Sequence, residues 1–199
     1  MRRATVTRKS KETDIAVTLN LDGTGKALVK TSIPFLDHML TLLGTHGLCD
    51  LTVKAAGDLD VDRHHTNEDI GLVLGEALDQ ALGSRKGITR FGFAYVPMDE
   101  ALARVVLDIS GRPKLVFRDA RGVHQELSSS TDYSRVDAEH FLESLVRNSK
   151  ITLHIDLLAG DDFHHAYEAV FKALGRALEQ ATRIHPRVKG VPSSKGHLS

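Results

Sequence analysis

Residues 64–83 (HHTNEDIGLVLGEALDQALG) lie over residues 164–183 (HHAYEAVFKALGRALEQATR) with both histidine pairs in register. Glu68 falls on Glu168, Leu74-Gly75 on Leu174-Gly175, Ala77-Leu78 on Ala177-Leu178 and Gln80-Ala81 on Gln180-Ala181. Upstream, His38 in the stretch 35–40 falls on His140 in the stretch 138–142, and Leu51-Thr52-Val53 on Leu153-His154-Ile155. Glu12 and Asp22-Gly23 fall on Glu100 and Ser110-Gly111. A chain with this self-similarity must build one structural plan twice, and the plan has to fit in about half the chain.

The plan is read from periodicity. Ile15–Leu21 and Ala101–Ile109 run apolar or alternating up to Gly-containing turns, so each is expected as a strand entering a hairpin, with Ala27–Lys30 and Leu115–Phe117 as return strands. Residues 35–46 follow Pro34 with apolar side chains at helical spacing, and residues 139–147 repeat the pattern. A strand is expected around 49–55 and again around 150–157. A long amphipathic helix closes each half, at 67–82 and 165–182. The expected fold is α/β in the sense of α+β layers, with duplicated βββαβα-like halves and helices packed on one face of four-stranded sheets. The halves are expected at 1–88 and 89–185, forming one compact unit. A mobile tail, 186–199, follows, and 118–134 is the largest insertion between the halves.

Composition narrows the function. The 26 basic and 26 acidic residues cancel, so no general attraction to nucleic acid or anionic membrane is expected. No apolar run approaches the roughly 18 residues of a membrane span, and the basic start is not followed by a signal-type apolar region. The lone Cys49 has no partner for an internal disulfide and sits among apolar neighbours, as a small buried thiol does; a cytoplasmic protein is expected.

Eleven histidines stand against no tryptophan. In HHxxE at a helix start, Glu68 is i+4 from His64 and i+3 from His65, so its carboxylate can share a metal with either. Adjacent histidines diverge by about 100° and suit different metals. His38, His64, His65 and Glu68, with His140, His164, His165 and Glu168, divide into two sets of three imidazoles and one carboxylate. A six-coordinate ion in each would keep two open positions, as catalysis requires. The acid follows both histidines, unlike the zinc-peptidase HExxH. The stretch 21–25 resembles a phosphatase DxDGT motif, but Asn20 stands at the nucleophile position, so an Asp-Gly turn is the better account. His124, His154, His185 and His197 are expected to be ordinary core or surface residues.

Five stretches, FLDHML (35–40), DVDRHHTNEDIG (60–71), AEHFLESL (138–145), HHAYEAVFKALGRAL (164–178) and KGVPSSKG (189–196), closely resemble the imidazoleglycerol-phosphate dehydratases of histidine biosynthesis. The resemblance covers essentially the whole chain. It implies trimers assembled into a 24-subunit shell, with two Mn2+ per active site between subunits. It also implies dehydration of D-erythro-imidazole glycerol phosphate to imidazole acetol phosphate through a metal-bound imidazolate and a diazafulvene-like intermediate. Glu12, in Lys11-Glu12-Thr13, becomes the acid–base candidate, and His46 a substrate-contacting group able to assist proton transfer. His38 is implied at the substrate as well as the metal. Arg90, Arg112, Lys172, Ser193, Ser194 and Lys195 are nominated for the phosphate, with the tail closing over bound substrate. Glu100 is expected to be an exposed acid, and Asp99 is left open between the two roles. Two other functions fit parts of the pattern. A metal-storage assembly explains the histidines but gives Glu12 and the tail no role, and a phosphoesterase would lean on bridging carboxylates rather than imidazoles.

Overall fold

The computed structural model describes residues 2–121, 127 and 129–198. His124 and Ser128 of the insertion lie outside the described residues. The first half contains β1 (Arg3–Lys9), β2 (Thr13–Asn20), β3 (Ala27–Lys30), α1 (Pro34–His46), β4 (Asp50–Gly57) and α2 (Arg63–Leu82). The second repeats the order with β5 (Phe91–Met98), β6 (Ala101–Asp108), β7 (Lys114–Asp119), α3 (Arg135–Ser149), β8 (Thr152–Ala159) and α4 (Phe163–Thr182). Each half makes one four-stranded mixed sheet, ordered β1-β2-β4-β3 and β5-β6-β8-β7.

This order corrects the expected hairpins. β2 pairs antiparallel with β1 on one side and β4 on the other, and β3 lies beyond β4 and runs parallel to it, with β7 and β8 repeating the arrangement. A parallel pair needs a crossover, and α1 and α3 supply it. The strand after each crossover slots between two strands already formed, so the short return strands are pushed to the sheet edge.

Period-2 burial drives the central strands: Thr13, Ile15, Val17 and Leu19 face inward on β2, and Ala101, Ala103, Val105 and Leu107 on β6. The helices lie between the sheets. On the sheet side α2 covers β1 and β2, and α4 covers β5 and β6; across the repeat, α1 packs on α4 and α2 on α3. One continuous apolar core therefore runs through both halves. Two equivalent glycines allow these helix crossings. A Cβ on Gly75 would stand 2.5 Å from the Leu145 carbonyl, and one on Gly175 2.8 Å from the Leu43 carbonyl.

The expected tail is tied to the body in this structure. Gly87 donates its N–H to the Gly190 carbonyl, His185 donates to Gly87, and Arg90 Nη1 donates to the Pro192 carbonyl at 2.9 Å.

Candidate functional site

Both long helices begin further upstream than periodicity alone indicates, at Arg63 and Phe163, so each His pair sits in a first helical turn. Asp62 and Asp162 cap those turns, accepting the N–H groups of His64 and His165. An aspartate at the N-cap is a sequence-readable start signal that was missed beside the more conspicuous histidines.

The caps set the histidines on two faces. His164 Nε2 lies 3.1 Å from Glu168 Oε2, one turn along α4, and His38 Nε2 from α1 reaches the same oxygen at 3.1 Å. Their donor atoms lie within 4.8 Å of one another. In the repeat, His64 Nε2 is 3.5 Å from Glu68 Oε2 on α2, and His140 of α3 brings its Nδ1 to 3.2 Å from His64 Nδ1. Each cluster therefore takes its helix-turn His-Glu pair from one half and its remaining histidine from the other. The histidine four residues before each glutamate is the one whose ring meets it.

Donors bound to one ion at about 2.0–2.2 Å stand no more than roughly 4.4 Å apart, so the 3.1 Å approaches around Glu168 fit a divalent metal with small adjustments. His64 shows different nitrogens to its two neighbours, so the second cluster needs a ring rotation before three donors converge. Two nitrogens and one oxygen form a donor set for borderline divalent ions. Burial pushes the Glu168 carboxyl up, but hydrogen bonds from Lys172 and His38 outweigh it and hold Glu168 down at about 2. Lys172 Nζ sits 2.5 Å from Glu168 Oε1, leaving Oε2 for the histidine side. Glu68 has a looser cation, Arg147, at 3.7 Å.

His65 and His165 stay out of these clusters. His65 Nδ1 is 3.2 Å from Asp58 Oδ2 and 3.9 Å from Glu12 Oε2; His165 Nδ1 is 2.8 Å from Glu100 Oε2, with Asp99 Oδ2 3.5 Å from its Nε2. The Asp58 hydrogen bond and the Glu12 charge raise His65 above its ordinary value, and Glu100 does the same for His165. Glu100 is thus no uncommitted acid, since its other oxygen accepts the Asp161 and Asp162 N–H groups. Its own backbone N–H, followed by His165 and the Asp162 and Asp161 N–H groups, holds it down at about 2. Asp58, seven residues before His65, belongs to none of the motifs in the sequence, so only the structure shows that the two side chains meet.

His46 ends α1, two turns beyond His38, where burial and the Lys172 and Arg176 cations lower it and favour the neutral ring. It lines a cavity of about 460 Å³ with Phe93, Arg176 and Arg183. The remaining phosphate candidates are elsewhere. Arg90 accepts position from the far end of α4, its N–H donating to the Ala181 carbonyl, some 20 Å along the helix from Glu168 at 1.5 Å per residue. Its guanidinium forks onto Asp108 at 2.7 and 3.0 Å. Arg112 follows Gly111, which walls a second cavity of about 460 Å³ with Val191, Gly196 and His197 of the tail. Ser193 Oγ accepts the Lys195 N–H, and Ser194 and Lys195 are exposed. Lys172 alone of the phosphate candidates adjoins a metal-type cluster among the described residues.

Comparison with known proteins covers most of the chain. The profile of the imidazoleglycerol-phosphate dehydratase family matches residues 31–178. Imidazoleglycerol-phosphate dehydratase from Mycobacterium sp. (strain KMS) is 52% identical over 200 residues, covering 99% of this chain and 96% of the relative. The enzyme of that name from Methylorubrum populi is 50% identical over 199 residues and the full length of both chains. Among solved structures, the Pyrococcus furiosus IGPD in complex with (S)-C348 superposes with a TM-score of 0.81 at 38% identity, covering 97% of this chain and all of that one. Imidazoleglycerol-phosphate dehydratase from Staphylococcus aureus gives 0.78 at 37% identity, covering 92% and 99%.

Proposed function

The chain belongs to the imidazoleglycerol-phosphate dehydratase family, and we propose that it is the hydro-lyase of histidine biosynthesis that converts D-erythro-imidazole glycerol phosphate to imidazole acetol phosphate. One observation carries this beyond the name: the duplicated chain twice sets an imidazole from one half against a helix-turn His-Glu pair from the other. His38, His164 and Glu168 would hold one metal and His140, His64 and Glu68 a second, with His65 and His165 completing such sites across subunit boundaries. Two Mn2+ per active site are proposed. The family resemblance supports manganese, since a nitrogen-rich donor set by itself binds zinc or copper more tightly.

Bound through the substrate's ring nitrogens, such ions would favour the ionised imidazole and so the departure of hydroxide from the adjoining carbon. The chain's own groups do the rest. The Glu12 carboxylate, 59% exposed and 3.9 Å from His65, is placed to accept the proton lost from the neighbouring carbon. His46, held neutral, can accept or relay a proton in the same pH range. Lys172, Arg90, Arg112, Ser193, Ser194 and Lys195 would bind the phosphate, with the tail closing over it.

Assembly is part of the proposal. Arg90, Arg112 and the tail gather at the far end of α4 from Glu168, so a substrate spanning metal and phosphate sites calls for contributions from more than one copy. The outer face of β5 carries exposed Phe91, Phe93 and Tyr95, an apolar stripe suited to burial against another subunit. Trimers joined into a 24-subunit shell would supply that contact. Among the described residues no helix is long and apolar enough to cross a membrane. The cytoplasm is the proposed location, in keeping with the family.

The test is conversion of imidazole glycerol phosphate by protein stripped with a chelator and reloaded with manganese or zinc. Turnover restored by manganese is expected. Stoichiometric metal uptake with no turnover would overturn the enzyme assignment in favour of a metal-binding assembly.

A further inference from the structure

The duplication is broken beside Glu12. In the second half the acid at the β5–β6 turn, Glu100, is fully engaged, with one oxygen on two backbone N–H groups and the other on His165 Nδ1 at 2.8 Å. Its counterpart Glu12 approaches His65 Nδ1 only to 3.9 Å, because Asp58 Oδ2 is already there at 3.2 Å. Asp58 sits directly opposite Glu12, its N–H donating to the Glu12 carbonyl at 3.1 Å, as the β2–β4 ladder runs out. A β-bulge opposite Leu102 and Ala103 adds one residue to β8, so Gly160 falls on Gly57 and Asp161 on Asp58; a Cβ on Gly57 would meet Thr66, and one on Gly160 its counterpart Ala166. The two positions differ in what they hold: Asp161 donates its N–H to the Glu100 side chain at 3.3 Å, whereas Asp58 donates its own to the Glu12 main chain and puts its carboxylate on His65.

We infer that Asp58 is a positioning residue that holds His65 Nδ1 and so leaves the Glu12 carboxylate uncommitted for the substrate. A histidine that donates from Nδ1 presents the lone pair of Nε2 outward, the tautomer a metal ligand needs. The buried Oδ1 of Asp58 has no hydrogen-bond partner among the described residues. A half-satisfied carboxylate is costly to keep and is accounted for where it orients a functional group. Two equivalent turns have thus been given different duties. Glu100 orients a ligand, while Asp58 has relieved Glu12 of the same work.

This rests on the proposed metal sites, so the measurement is metal affinity of the full-length protein, by calorimetric titration of the stripped enzyme with Mn2+, alongside circular dichroism and kcat and KM. Asp58→Asn is expected to weaken uptake on the order of 10–100-fold, the usual effect of removing such a partner. Asp58→Glu, which returns a carboxylate, is expected to recover it, and Glu100→Gln to weaken uptake as Asp58→Asn does. Glu12→Gln is expected to bind metal like the wild type while kcat collapses with KM little changed. Unchanged affinity in a folded Asp58→Asn protein, no recovery in a folded Asp58→Glu protein, or a loss in Glu12→Gln as large as in Asp58→Asn would each overturn the inference alone. A wild-type protein that takes up no metal would overturn it together with the metal sites.

Discussion

His64 and His140 face each other through their Nδ1 atoms at 3.2 Å, one imidazole from α2 and the other from α3. Two ring nitrogens at that distance need a proton between them or a cation in place of it, so the contact is conditional on what the site holds.

Metal should therefore act as a structural ligand for both halves. Saturating Mn2+ is expected to raise the Tm of chelator-treated protein, since a ligand at a hundred times its Kd adds about 2.7 kcal/mol. His140→Ala should reduce the metal-dependent rise. An equal rise in wild type and His140→Ala, read by differential scanning calorimetry, would remove His140 from the ligand set.

Acid should unlock the other cluster. The Glu168 carboxyl is held at about 2 against an ordinary 4.5, so in metal-free protein its contribution to stability is present above about 4.5 and fades as pH falls toward 2. Wild type should exceed Glu168→Gln in urea midpoint at pH 6, with the gap narrowing steadily below pH 4.5. A gap independent of pH would assign the difference to packing.

Gly175→Ala puts helix propensity against packing. In an exposed helix interior the change stabilises by about 1 kcal/mol. Here the new Cβ would stand 2.8 Å from the Leu43 carbonyl and 2.9 Å from the Gly47 nitrogen, backbone atoms that cannot swing aside. A net loss of about 1–3 kcal/mol in chemical denaturation is expected, the cost of overpacking. Gly75→Ala should behave alike, because its Cβ would meet the Leu145 carbonyl at 2.5 Å.

Capping links fold to site. Asp162→Ala removes the acceptor of the His165 N–H and should cost about 1 kcal/mol. The first turn of α4 carries His164 and His165, so metal affinity should fall along with Tm. A loss of Tm with affinity intact would show that the turn keeps its shape without the cap.

Deleting residues 190–199 removes Ser193, Ser194, Lys195 and the Pro192 carbonyl that Arg90 grips. KM for the phosphorylated substrate is expected to rise on the order of tenfold, as losing one or more charge-assisted hydrogen bonds implies. Unchanged KM and turnover would rule out closure by the tail.

Much of this protein was decided by local pattern. The doubled HHxxE, the apolar spacing of four helices and the alternation along β2 and β6 each lie within one or two turns or one strand, so they are legible in sequence and placed the duplicated layers and the metal-type residues together. The structure alone decided what depends on meetings between distant segments. The β3–β4 parallel pair displaced the expected hairpin because the α1 crossover sets strand order. His64 faces Glu68 while His65 turns to Asp58 at a strand end. His38 crosses to Glu168 and His140 to His64 because α1 packs on α4 and α3 on α2. Helical periodicity fixes which side chains share a face, but only tertiary packing determines which other face they meet.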